Sequence, residues 1–385
     1  MIPASTYASS KSEIPPIANP EQEPKAYIVV EAQNGKIISS KNANTSLNVA
    51  STGKIVTALA AINTINRDQL IEVPPEAASV QPMRIGMKEG EVWKRDDLLY
   101  SLLLVSANDA AYALAEASAG SIAEFGQQQK RIAKELGMKH STFGDPSGLD
   151  DSLAVNGDTK MSAYDLAIAA RATLANPDLA KIVSTMSYQF TGGDNEPHTL
   201  TNHNDDFLAN YAGANGMKTG YTKKSGRTLI ASATRDGTTL IAVVLNVAET
   251  DAWAASLLDQ GFAAISAGNV PKNAEKLPAI GVIGSKSNVT ILNEPKTDSK
   301  EQAAGDKISA EESPDSGGSG NMSVGLVTFL ILAALAVAFV LRRRAVMKRK
   351  RLRRLRAAQM KEMQRRSMID VIDITTETSS ELIKK

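Results

Sequence analysis

The sequence predicts an α+β domain, an antiparallel sheet flanked by helices, followed by a disordered stalk and one transmembrane helix. Three observations predict it. Strand-like apolar runs stand at both ends of residues 25–267, helical periodicity fills the interval, and nineteen uncharged residues stand near the C-terminus. Strands drawn from both ends of one segment form a single antiparallel sheet, with the intervening helices packed on its faces.

The elements follow in order. Residues 1–24 are rich in Ser, Pro and polar residues and are expected to be a mobile leader. Ala26–Val30 and Lys36–Ser39 flank Gln33-Asn34-Gly35, and apolar runs around an Asn-Gly pair predict a hairpin. In Lys54–Ile65 the side chains of Ile55, Leu59 and Ile62 fall on one helical face. A second helix, Asp96–Leu104, breaks at Val105-Ser106-Ala107-Asn108 and resumes over Ala110–Ala117. Ser121–Leu136 and Ser162–Leu174 are also helical in pattern. Gly226–Thr234 and Thr238–Asn246 are strand-like around the turn Arg235-Asp236-Gly237, and a helix over Asp251–Ile265 closes the domain. Residues 268–322 hold weak strand character in Ala279–Ile283 and Val289–Leu292. A charged, Ser/Gly-rich stretch over 295–321 follows, the predicted disordered linker.

Ser323–Leu341 carries no charge, and as a helix it spans about 28 Å, close to a hydrocarbon core of about 30 Å. A buried core helix is the alternative, but Arg342, Arg343 and Arg344 follow at once. Residues 342–385 hold 15 Lys/Arg against 5 Asp/Glu, a net +10, and the preceding 341 residues hold 28 against 37, a net −9. Positive flanks mark the cytoplasmic side. Residues 1–322 are therefore expected outside the membrane and the basic tail inside. The tail is read first as a topology determinant and second as a helix lying on anionic headgroups. The leader lacks the apolar segment that export requires, so the topology implies either a processed or mis-started chain or the reverse orientation. The acidic body excludes a general nucleic-acid binder. With no cysteine there is no disulfide framework, thiolate metal site or cysteine nucleophile. His140, His198 and His203 lack the spacing of a helical zinc site. No metal or cofactor is expected.

Three short motifs carry chemistry. In Ser51-Thr52-Gly53-Lys54, a serine opening a helix has a lysine on the same face three residues later. A lysine kept neutral by burial or a nearby cation can take a serine's proton, and a helix N-terminus offers N–H groups to an oxyanion. Alone, the pattern equally fits an N-cap serine before an exposed lysine. Ser106-Ala107-Asn108 lies in the helix break, where a hydroxyl can relay a proton and an amide can bond a substrate peptide; alone, it fits an ordinary cap. Lys218-Thr219-Gly220 offers a cation and a hydroxyl for a carboxylate, and a glycine for close approach of a ligand; alone, it fits an exposed turn.

In combination and in this order, S-x-x-K, S-x-N and K-T-G match the set found in penicillin-binding proteins. From about Ala26 to Ile265 the sequence resembles the D-alanyl-D-alanine carboxypeptidase family, the low-molecular-mass penicillin-binding proteins. The resemblance rests on AYIVVEAQNGKII, LLYSLLLVSANDAAYALAE, KELGMKHSTFGDPSGLDD, SAYDLAIAARA and NGMKTGYTKKSGRTLIASAT. It implies a β-lactamase/transpeptidase-like fold and a bacterial cell membrane location. It also implies that Ser51 is the acylated nucleophile and Lys54 its base. Ser106 would shuttle a proton, and Asn108 would orient the substrate or Lys54. Lys218 and Thr219 would bind the terminal carboxylate beside Gly220, with the N–H groups of Ser51 and Tyr221 as the oxyanion hole. Implied partners are peptidoglycan stem peptides ending in D-Ala-D-Ala, with β-lactam antibiotics as covalent inhibitors.

The sequence departs from that pattern in three places. Thr52-Gly53 replaces a bulky residue and Thr, and a glycine early in a helix costs about 1 kcal/mol relative to alanine. The stretch after Gly268 is short for the β-rich second domain of many relatives, which is expected to be reduced or missing. A full span replaces their amphipathic anchor helix. Competing readings are a class A-like β-lactamase, whose E-x-x-x-N loop has no counterpart in residues 141–149, a non-catalytic wall-binding scaffold, and an endopeptidase using the same site.

Overall fold

The computed structural model describes residues 17–150, 154 and 156–280. Its centre is a five-stranded sheet built from β1 (Ala26–Glu31), β2 (Ile37–Lys41), β5 (Ala214–Thr222), β6 (Gly226–Arg235) and β7 (Thr238–Leu245). Between them in sequence lies a separate hairpin, β3 (Ser187–Thr191) and β4 (Pro197–Thr201). The sheet order is β2-β1-β7-β6-β5, and every neighbouring pair is antiparallel. The two ends of the domain thus meet in one sheet, as its strand pattern predicts.

Burial explains the composition of each strand. β1, β6 and β7 are central and covered on both faces, so AYIVVE, TLIASA and LIAVVL are nearly continuous apolar runs. β2 and β5 are edges, and both carry polar residues. One face packs against α1 (Lys54–Thr64), α2 (Arg95–Leu104), α3 (Asn108–Ala119), α4 (Ile122–Leu136) and α5 (Ala163–Ala175) through the larger core, with Ile28, Ile230 and Val243 facing Leu59, Leu102 and Ile168. The opposite face packs on α6 (Thr250–Ser266), where Val29, Leu229 and Val244 meet Ala254 and Leu258. Ser121 and Ser162 are N-caps that accept from the N–H groups of Glu124 and Asp165, which starts α4 and α5 one residue later than the periodicity suggests.

Residues 18–23 lie against the domain: Ala18 N–H donates to Glu249 at 2.9 Å, and Glu23 pairs with Lys41. Ala279 and Ile280 are in no strand, and the predicted strand at 289–292, the linker, the span over 323–341 and the basic tail lie outside the described residues. Among the described residues no helix is long and apolar enough to cross a membrane.

Candidate active site

Ser51 does not open a regular α-helix. It sits in a 3-10 turn, Ala50–Gly53, that runs straight into α1, and Val49 precedes it without a side-chain cap. The turn brings the serine and lysine together all the same. Lys54 is fully buried, and its Nζ donates to Ser51 Oγ at 2.8 Å, to Asn108 Oδ1 at 2.8 Å and to the Ser147 carbonyl at 2.6 Å. Burial pushes the Lys54 pKa well below the ordinary lysine value, Lys218 pushes it down further, and the carboxylates of Asp145 and Asp109 oppose both. On losing a proton, a lysine so placed keeps two N–H donors for Asn108 Oδ1 and the Ser147 carbonyl and turns its lone pair to the Ser51 hydroxyl.

The helix break runs from Val105 to Ala107, and Asn108 is already the first residue of α3. Ser106 adopts φ +61°, a left-handed conformation that costs a serine about 1–2 kcal/mol. Its hydroxyl is buried and has no hydrogen-bond partner among the described residues. Strain and an unsatisfied buried hydroxyl at one residue are features of a working site more than of a cap. Asn108 uses its amide on the protein: Oδ1 accepts from Lys54, and Nδ2 donates to the Gln81 carbonyl at 2.9 Å. It therefore orients Lys54 in this structure.

Lys218, Thr219, Gly220 and Tyr221 lie on the edge strand β5, with Lys218 buried and Tyr221 65% exposed. Burial lowers the Lys218 pKa to about 7. Its Nζ donates to the Thr219 carbonyl at 2.9 Å. Gly220 also stands where the edge strand meets the serine turn. A Cβ at this position would lie 3.0 Å from the amide nitrogens of both Ser51 and Thr52 and 2.5 Å from Thr228 Oγ1. The glycine lets the edge strand approach the serine turn itself. Thr228, opposite Gly220 on β6, fixes that approach by donating to the Val49 carbonyl at 3.0 Å.

Sequence reasoning passed over the segment that completes the site. Gly148 has φ +79°, and a Cβ there would come within 2.0 Å of the Ala50 carbonyl, so the loop Asp145-Pro146-Ser147-Gly148 presses on the serine turn. Asp145 holds the loop in shape. Its Oδ1 accepts from Ser147 N–H at 2.8 Å and Ser147 Oγ at 2.5 Å, and its Oδ2 accepts from Tyr112 at 2.5 Å. The Ser147 carbonyl is thereby aimed at Lys54. No local pattern signals a contact between Gly148 and Ala50, nearly a hundred positions away. Among the described residues no group of three or more His, Cys, Asp or Glu could hold a metal ion.

Solved structures share this fold. A D-alanyl-D-alanine carboxypeptidase from Mycobacterium tuberculosis superposes with a TM-score of 0.60 at 28% identity, over 71% of this chain and 100% of that one. Penicillin-binding protein D2 from Listeria monocytogenes, solved in the ampicillin-bound form, gives 0.54 at 26% identity, over 63% of this chain and 99% of that one. The class is thus the penicillin-binding, transpeptidase-like fold, a mixed α/β architecture with an antiparallel sheet. The chain belongs to the D-alanyl-D-alanine carboxypeptidase family, whose sequence profile matches residues 13–249. D-alanyl-D-alanine carboxypeptidase DacF of Bacillus subtilis is 31% identical over 248 residues. That match takes in 62% of this chain and 62% of the relative, so the chain spans about three fifths of its length.

Proposed function

We propose that this protein is a serine D-alanyl-D-alanine carboxypeptidase that trims peptidoglycan stem peptides through an acyl-enzyme. The observation that carries the reading is the fully buried Lys54 side-chain nitrogen, 2.8 Å from Ser51 Oγ and within electrostatic reach of a second buried lysine, Lys218. Two buried lysines in one site disfavour double protonation, so Lys54 is the neutral one and takes the serine proton. Ser51 Oγ forms a bond to the carbonyl carbon of the penultimate D-alanine. The resulting oxyanion accepts from the N–H groups of Ser51 and Tyr221, on the two backbones that Gly220 brings together. Ser106 Oγ, buried with no hydrogen-bond partner among the described residues, passes a proton to the departing D-alanine amine. Lys218 and Thr219 hold the terminal carboxylate, and water then cleaves the ester.

The same proposal covers the rest of the chain. Residues 25–267 are the catalytic domain, 268–322 a linker, 323–341 a membrane span and 342–385 a cytoplasmic tail, with the catalytic domain outside a bacterial membrane. The uncharged run and the +10 tail support that topology. β-Lactams are expected as covalent inhibitors that mimic the acyl donor.

Intact mass after addition of benzylpenicillin tests the chemistry. A long-lived adduct that disappears in Ser51→Ala, together with D-alanine release from a pentapeptide, is the expected result. Rapid antibiotic turnover would instead indicate a β-lactamase, and the absence of any adduct would overturn the reading.

A further inference from the structure

Thr57 stands on α1 one turn after Lys54, so the two side chains leave the helix on the same face. Both are fully buried. A threonine inside a helix commonly returns its hydroxyl to the carbonyl four residues back. Thr64 does so to Ala60 at 2.8 Å, and Thr173 on α5 does so to Ala169 at 2.9 Å. Thr57 does not. Its Oγ1 reaches out of the helix and donates to the Pro146 carbonyl at 2.6 Å. Lys54 Nζ takes the next carbonyl of that loop, the one on Ser147, also at 2.6 Å. Two successive loop carbonyls are thus held by two residues on one helix face.

The hydroxyl is itself directed. Gln129 on α4 is buried, and its Nε2 donates to Thr57 Oγ1 at 3.2 Å. The incoming N–H fills an acceptor position on the oxygen and leaves its single proton for Pro146. The consequence passes through a planar unit. A peptide group is flat, so fixing both of its polar ends fixes its orientation. The group joining Pro146 to Ser147 has its carbonyl on Thr57 and its N–H on Asp145 Oδ1, the latter at 2.8 Å. Rotation about Ser147 is then restricted by Gly148, which presses on the Ala50 carbonyl. The Ser147 carbonyl is left with one direction, toward Lys54 Nζ.

We infer that Thr57, backed by Gln129, is a positioning residue for the acylation step: through the Pro146–Ser147 peptide it sets the direction of the Lys54 lone pair. A neutral Lys54 has two N–H groups, and Asn108 Oδ1 and the Ser147 carbonyl are the acceptors that draw both away from Ser51. With the Ser147 carbonyl swung aside, one N–H is free to turn to Ser51 Oγ, and the lysine then offers the serine a proton in place of a base. The effect falls on rate and not on binding, because the groups proposed to hold the carboxylate, Lys218 and Thr219, lie on β5.

The inference rests on the serine carboxypeptidase reading, and its test keeps the two apart. Acylation by benzylpenicillin and D-alanine release from a pentapeptide are measured on the full-length protein, below the Tm of every variant. Thr57→Val keeps the shape of the side chain and removes the hydroxyl. Its acylation rate at saturation is expected to fall on the order of tenfold, less than the hundredfold that a misplacement of about 1 Å can cost. The half-saturating concentration stays unchanged, and Thr57→Ser recovers most of the rate. Gln129→Leu, which leaves the hydroxyl undirected, slows acylation in the same sense by less. Thr173→Val removes a hydroxyl equally buried but turned to its own helix, and acylates at the wild-type rate. An undiminished rate in Thr57→Val overturns the inference, as does a loss that Thr57→Ser fails to recover or that Thr173→Val shares. Should Thr57→Val not fold, an undiminished rate in Gln129→Leu overturns it equally. A wild type that is acylated by penicillin but releases no D-alanine would overturn the carboxypeptidase reading alone, and the acylation rates would still decide the part of Thr57.

Discussion

Gly53, between the serine and lysine of the first motif, is already helical with φ −62°. A Cβ there would meet Val49 Cγ2 at 3.4 Å and Thr159 Cγ2 at 3.5 Å, which is ordinary contact. Gly53→Ala therefore restricts the unfolded chain without a clash and should stabilise the domain by about 0.4–1 kcal/mol, read as a rise in Tm. The loosening of Lys54 that a glycine would allow is opposed by the three hydrogen bonds on its ammonium nitrogen. Asp145 acts electrostatically on the same nitrogen. Its charge raises the Lys54 pKa, against burial and Lys218, which lower it, while Asp109 adds to the raising effect. Acylation needs the neutral lysine, so the rate rises with pH through that pKa. Asp145→Asn should move this acid limb of penicillin acylation to lower pH. A slower reaction with an unmoved limb would assign Asp145 a purely structural part.

At the scale of elements, β5 places a titrating cation at the edge where the proposed function puts the substrate carboxylate. The Lys218 pKa, lowered by burial to about 7, means that the free enzyme loses this charge as pH rises through neutrality. A bound carboxylate favours the charged form and pulls the pKa back up. The expected signature is a KM for carboxylate-ended peptides that climbs above about pH 7 while kcat changes less; a flat KM would remove the role from Lys218. Gly148 makes a second prediction. With φ +79° and the Ala50 carbonyl 2.0 Å from a built Cβ, Gly148→Ala must displace the loop that aims Ser147 at Lys54. Loss of at least 2 kcal/mol of stability and of penicillin labelling is expected. These contacts also show where sequence patterns stop. The buried strands β6 and β7 and the capped helices α4 and α5 announce themselves through local pattern. The hairpin β3–β4 does not: SYQFT and PHTLT are half polar, and their place is set by Tyr188 stacking on Tyr100 at 3.7 Å and by Trp93 against Phe190. Serine, lysine and K-T-G were legible as motifs, whereas the carbonyl of Ser147 and the carboxylate of Asp145 act through long-range packing that no spacing encodes.

Across the described domain, the segment after α6 is tied back to the first hairpin. After α6, Leu277 N–H donates to the Gly35 carbonyl at 2.8 Å and Ile37 N–H to the Glu275 carbonyl at 2.8 Å. Arg171 on α5 locks this closure, donating to the Ala32 carbonyl at 2.9 Å and the Pro278 carbonyl at 2.8 Å. It is buried and forms no ion pair among the described residues, so burial lowers its pKa and its two carbonyl partners bear the whole burden of compensation. Gly35 belongs to the same clasp, since a Cβ there would lie 2.7 Å from Arg171 Nη1. Arg171→Met keeps the length and apolar bulk of the side chain but leaves both carbonyls without their donor. A loss of about 1–3 kcal/mol follows from the unmet hydrogen bonds, and the segment after Gly268 should open before the sheet does. Limited proteolysis resolves the two effects. Cleavage within residues 268–280 should accelerate at temperatures where penicillin still labels the variant, because Ser51 and Lys54 are held by α1, α3 and β5 and not by the clasp. Cleavage and labelling lost together would mean that Arg171 supports the whole domain and not its C-terminal exit alone.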